Sequence, residues 1–94
     1  FYFIEALQQA ACDLGLAPEM ARQLAGETFA GAAKLAAASM EDAAVLRARV
    51  TSKGGTTAAA LASMDADGIN KAIVRAVKAA EVRSRELGDE LGRD

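Results

Sequence analysis

Alanine makes up about a quarter of this chain, far above ordinary usage in a globular protein, and no other feature narrows its choice of fold so much. Alanine has the best intrinsic helix propensity, but each one removes little apolar area from water. Helices made of it gain stability mainly by letting another backbone come close. Aromatic residues are only 4% of the sequence, so bulky side chains to fill a private core are scarce. With 94 residues the chain is one small domain, of a size that buries a modest fraction of its surface. The expectation is a helical domain that completes its core in an obligate oligomer.

Composition excludes several classes. An apolar share of 52% is too high for a disordered tail, and a charged share of 26% is too high for a membrane span. No apolar run approaches the roughly 20 residues that cross a bilayer. A net charge of −2 provides no basic footprint for nucleic acid. The lone Cys12 rules out an internal disulfide and fits a reducing compartment. No histidine is present, which removes histidine-based triads and, with a single thiol, speaks against a conventional zinc site. The opening FYFIEALQQAA starts inside an apolar-periodic pattern without a capping residue. Glu5 and the lack of a preceding basic region set it apart from a signal peptide. It reads as a longer protein entered partway along a helix.

Periodicity predicts a first helix from Phe1 to about Leu14, with Phe3, Ala6, Leu7, Ala10, Ala11 and Leu14 on one face. Gly15 suits its C-cap, and Pro18 the first turn of a second helix that reaches about Ala38. Met20, Leu24, Phe29, Ala33 and Ala36 mark that helix's apolar side. Its interior Gly26 and Gly31 cost about 1 kcal/mol each against alanine, and close approach of another helix would compensate. Ser39 with Asp42 resembles a capping box opening a short helix from Met40 to about Arg49. A brief helix from about Thr57 to Met64 carries Leu61 and Met64 on one side, and DADG at 65–68 is a turn. The last helix, Ile69 to about Leu87, sets the stripe Ile69, Ala72, Ile73, Ala76, Val77 and Ala80 against Lys71, Arg75, Lys78 and Arg85. The end, ELGDELGRD, is polar and expected to fray. Five helices and no strand candidate predict an all-α fold.

One stretch interrupts this pattern: VTSKGGTT, residues 50–57. Consecutive glycines free the backbone and leave amides uncovered by side chains. Thr56 and Thr57 fall where the next helix begins, and the first amides of a helix lack internal partners and sit at the positive end of its dipole. Such a junction suits a carboxylate or phosphate, with the hydroxyls of Ser52, Thr56 and Thr57 and the charge of Lys53 nearby. The spacing of a P-loop is absent, and no base is placed to make Ser52 a nucleophile. On chemistry alone, a capped helix junction with no ligand and an anion cradle both stand.

VTSKGGTTAAAL resembles the signature of the pyrroline-5-carboxylate reductase family. Val50, Thr51, Ser52, Gly54, Gly55, Thr57, Ala60 and Leu61 each fit that pattern, as does Met64; Lys53 departs from it, since proline is more usual there. GLAPEMARQLAGETFAGAAKL resembles the family's long dimerisation helix, and AEVRSRELG, residues 80–88, also has a counterpart. The resemblance implies that residues 1–94 are a C-terminal helical dimerisation and substrate-binding domain, similar to that of 6-phosphogluconate-dehydrogenase-like enzymes. It implies a preceding Rossmann domain outside this chain, a cytoplasmic homodimer and, in some members, a ring of dimers. Ser52, Gly54, Gly55, Thr56 and Thr57 are then implied to hold the substrate's carboxylate, with the catalytic Thr57 hydroxyl facing the ring nitrogen. The implied reaction reduces 1-pyrroline-5-carboxylate to L-proline with the reduced form of NADP or NAD, NAD(P)H, bound mainly by the Rossmann domain. The isolated chain, having no dinucleotide fingerprint, is then expected to be inactive.

Other residues carry blander expectations. Cys12 lies close to an apolar face as a structural thiol, and Met20, Met40 and Met64 are core or interface fillers. Glu41 with Asp42, and Glu86 with Asp89 and Glu90, read as solvated charges, as does the basic side of the last helix. Two other functions compete: a free-standing helical dimerisation module without a ligand, and the helical domain of a related dehydrogenase acting on another small carboxylate.

Overall fold

A computed structural model describes residues 1–92. Five helices follow one another, α1 Tyr2–Asp13, α2 Pro18–Ala38, α3 Ala43–Arg49, α4 Thr56–Ala66 and α5 Ile69–Gly92, and no strand occurs among the described residues. The chain is all-α, as its periodicity predicts. It divides into two compact units, Phe1–Ala48 and Arg49–Asp94.

In the first unit α1 packs against α2. The reversal between them is chemically specified. Gly15 takes φ +105°, its N–H donates to the Cys12 carbonyl at 3.0 Å, and the Leu16 N–H reaches back to the Ala11 carbonyl at 3.0 Å. These two bonds form a Schellman cap, which needs a left-handed residue. Pro18 then opens α2 in its first turn, where its missing N–H costs nothing. Ala11, Ala21 and Ala25 are the only buried apolar residues among those described. Their methyl side chains make this a contact of close backbones rather than of interdigitating large side chains.

Beyond Gly26 every residue of α2 is exposed, including Phe29 at 39% and Leu35 at 69%. A Cβ built at Gly26 or Gly31 meets nothing within 4 Å, so the close neighbour expected at these glycines is not found among the described residues. Met20, Met40 and Met64 are likewise exposed, which removes the core reading and leaves the interface one. Cys12 is half-buried.

The expected capping box at Ser39 does not form. Ser39 ends α2, and its hydroxyl accepts from the Glu41 N–H at 3.1 Å, two residues on. Asp42 supplies the carbonyl for the first bonds of α3, from Val45 at 3.0 Å and Leu46 at 3.1 Å. A serine–turn hydrogen bond has outcompeted the cap, because serine bonds as readily to local turn amides as to a helix start. The helix therefore begins at Ala43 rather than Met40.

In the second unit α4 runs to Ala66 rather than Met64, and the DADG turn narrows to Asp67 and Gly68. Gly68, at φ +65°, serves both neighbours: its N–H donates to the Asp65 carbonyl at 3.1 Å, and its carbonyl accepts from Ala72 in α5 at 3.0 Å. The last helix continues to Gly92 instead of fraying after Leu87. Its polar end is laced by Arg83 to Glu86 at 3.0 Å, Arg83 to Glu90 at 3.4 Å and Arg85 to Glu81 at 2.7 Å. Such exposed pairs contribute only a few tenths of a kcal/mol each, enough to favour the helical register at a helix end. The final two residues of ELGDELGRD lie outside the described residues. The predicted stripe on α5 remains largely uncovered, with Val77 64% exposed.

Candidate functional site

VTSKGGTT forms a turn that leads directly into α4. The Gly55 N–H donates to the Ser52 carbonyl at 3.0 Å, closing a four-residue turn over Ser52, Lys53, Gly54 and Gly55. Gly54 has φ +73°, whereas Lys53 has no positive φ. That pattern defines a type II turn, whose third residue favours glycine and whose second favours proline. Lys53 occupies the proline-favouring corner and is exposed.

The two glycines have different jobs. At Gly54 a Cβ would meet nothing within 4 Å, so its requirement is conformational. Gly55 sits at φ −86°, ψ −179°, extended backbone open to any residue. Its requirement is steric, because a Cβ there would collide with the Ser52 hydroxyl oxygen and lie 3.2 Å from the Ser52 carbonyl oxygen. The absent side chain of Gly55 makes room for the Ser52 hydroxyl beside the start of α4.

Gly55 is also the N-cap of α4, with no side-chain hydrogen bond closing the helix end. The first bond of the α4 ladder runs from the Ala59 N–H to the Gly55 carbonyl at 3.1 Å. The N–H groups of Thr56, Thr57 and Ala58 thus precede the ladder, at the positive end of the helix dipole. The sequence places the helix start one residue later, which would make Thr56 the cap. A threonine cap occupies one of these amides with its own hydroxyl. A glycine cap has no side chain to occupy them.

The structure thus brings Ser52 and Gly55 into contact and sets Thr56 and Thr57 in the first turn of α4. Ser52, Gly54 and Thr56 are exposed, while Gly55 and Thr57 are half-buried. An anion resting on the amides would meet oriented N–H donors, neighbouring hydroxyls and the nearby charge of Lys53. The shallow depression of about 180 Å³ lined by Asp65, Gly68, Ile69, Asn70 and Lys71 lies at the other end of α4, about 16 Å away by helix length, and is no part of this site. Among the described residues, no helix is long and apolar enough to cross a membrane.

Comparison with known proteins bears on the whole chain. The family described as pyrroline-5-carboxylate reductase dimerisation matches residues 1–87. A pyrroline-5-carboxylate reductase of Pseudomonas aeruginosa is 42% identical over 92 residues, covering 98% of this chain and 34% of the relative. One of Haemophilus influenzae is 42% identical over 88 residues, covering 93% and 32%. Among solved structures, a pyrroline-5-carboxylate reductase from Coxiella burnetii superposes with a TM-score of 0.86 at 39% identity, over 93% of this chain and 32% of its own. The Plasmodium falciparum enzyme, solved with NADP bound, gives 0.81 at 30% identity, over 84% and 32%. The chain spans about a third of the length of the relatives it matches. Alanine-rich helices whose burial among the described residues is limited to three alanines, a glycine turn opening onto α4 and a match over residues 1–87 lead to one assignment: the chain belongs to the pyrroline-5-carboxylate reductase dimerisation family.

Proposed function

We propose that residues 1–94 are the C-terminal helical domain of a pyrroline-5-carboxylate reductase, and that the turn and the start of α4 cradle the substrate's carboxylate. The observation that carries this reading is the N-terminus of α4, which a glycine cap leaves without a side-chain partner, in a chain of this family. The amides of Thr56, Thr57 and Ala58 would donate to the carboxylate, with the Ser52 hydroxyl as a further donor. Gly54 and Gly55 shape the approach. The Thr57 hydroxyl would face the ring nitrogen of 1-pyrroline-5-carboxylate.

The described residues contain no strand, so they do not build the parallel-sheet crevice that normally holds a dinucleotide. A preceding Rossmann domain would hold NADPH or NADH, which would supply a hydride to the carbon of the C=N bond, leaving NADP or NAD, while the nitrogen takes a proton to give L-proline. The part played by this chain is to fix the imine at the correct distance and orientation, a contribution that can account for much of a rate enhancement. The isolated chain is accordingly inactive in this reading.

Exposed apolar residues along α2 and α5 support a homodimer completed by these helices; rings of dimers and a cytoplasmic location are further parts of the proposal. The test is substrate-dependent NADPH oxidation by the full-length protein and by its Thr57→Ala variant. A loss of about tenfold or more in kcat/KM, about 1.4 kcal/mol of transition-state stabilisation, is expected. An active parent matched by its variant would remove the role of Thr57. A folded, cofactor-binding parent without activity would refute the substrate assignment.

A further inference from the structure

The charge at the corner of the turn is not required by the fold. Lys53 stands where a type II turn accommodates proline, its side chain is exposed, and no ion-pair partner is found for it among the described residues. It is two residues before the glycine that caps α4, so its Cα lies within about 8 Å of that cap. The matched family's name indicates what such a charge would meet: a substrate that carries a carboxylate.

We infer that Lys53 attracts the carboxylate to the α4 amides by charge, without being needed for the chemical step. The inference rests on the function proposed above. An ammonium about 9 Å from the anion, in surroundings between bulk water and a protein surface, changes affinity about two- to five-fold. The effect is long-range and solvent-exposed, so salt should abolish it. A hydrogen-bonding or packing role would persist in salt.

Steady-state kinetics of the full-length protein would be compared with Lys53→Gln and Lys53→Arg, using 1-pyrroline-5-carboxylate and NADPH at low and high ionic strength. At about 20 mM salt, where the Debye length exceeds 20 Å, Lys53→Gln should raise KM about two- to five-fold and change kcat less than KM. At about 500 mM salt the two proteins should converge, and Lys53→Arg should follow the parent at both. Equal KM values at low salt in an active parent would overturn the role of Lys53 alone. A KM difference unchanged by salt would also overturn it, because the lysine would then be acting through the turn's structure. A parent without turnover would refute the proposed function and this role together.

Discussion

Alanine at position 54 or at position 55 should damage the protein in different ways, because the two adjacent glycines are required for different reasons. At Gly54 the surrounding space is open, and the entire cost comes from φ +73°. An L-residue in that region costs about 1–2 kcal/mol, so Gly54→Ala should lower stability by about that amount. Gly55 has an ordinary extended φ and ψ, so alanine brings no backbone strain there. Its Cβ instead displaces the Ser52 hydroxyl and presses on the Ser52 carbonyl oxygen at 3.2 Å. A serine hydroxyl escapes by one rotation about χ1, so the stability cost should stay below about 1 kcal/mol. The loss should appear in substrate binding. A hydrogen bond to a charged group contributes about 1.5–3 kcal/mol, which means a rise in KM of about tenfold or more. Ser52→Ala should raise KM similarly, and the double variant Ser52→Ala with Gly55→Ala should match Ser52→Ala alone, a non-additivity expected of residues that act as one unit. Denaturant midpoints of the full-length protein at fixed concentration, together with KM values for the four variants, decide the matter. Equal stability losses at the two glycines, or effects on KM that simply multiply in the double variant, would refute the division of labour.

Lys53→Pro should raise stability by about 0.4–1 kcal/mol, since the turn already holds that corner in a conformation proline accepts and the unfolded chain loses freedom; an unchanged or lower denaturation midpoint would contradict the type II assignment. Leu35→Asp places a charge on the exposed far end of α2 and should leave that helix intact while weakening the dimer about a hundredfold or more, the scale expected when an unpaired charge is buried at an interface. Light scattering across a dilution series reads this directly, and an undiminished dimer mass would move the interface away from that face.

Much of the fold is legible in local sequence. The 3.6-residue spacing of apolar positions marks α1, α2 and α5, Gly15 and Pro18 announce the first reversal, and the DADG run announces the last turn. Where local reading slips, a competing local bond is responsible. Ser39 spends its hydroxyl on the Glu41 amide instead of capping α3. Gly55 takes the cap of α4 although two threonines follow it. The charges that suggest a frayed end pair with one another along α5 instead.

The sequence by itself determined the helices, the scarcity of large core side chains and the place where the helical pattern breaks, because helix propensity, apolar periodicity and glycine punctuation act over a few residues. Only the tertiary structure decided which glycine is needed for its φ and which for its missing Cβ, since that depends on where the closed turn carries the Ser52 hydroxyl. It also decided that burial among the described residues is confined to Ala11, Ala21 and Ala25. Burial is a property of neighbours in space, and among the described residues the apolar faces of α2 and α5 each have too few of them within their own unit.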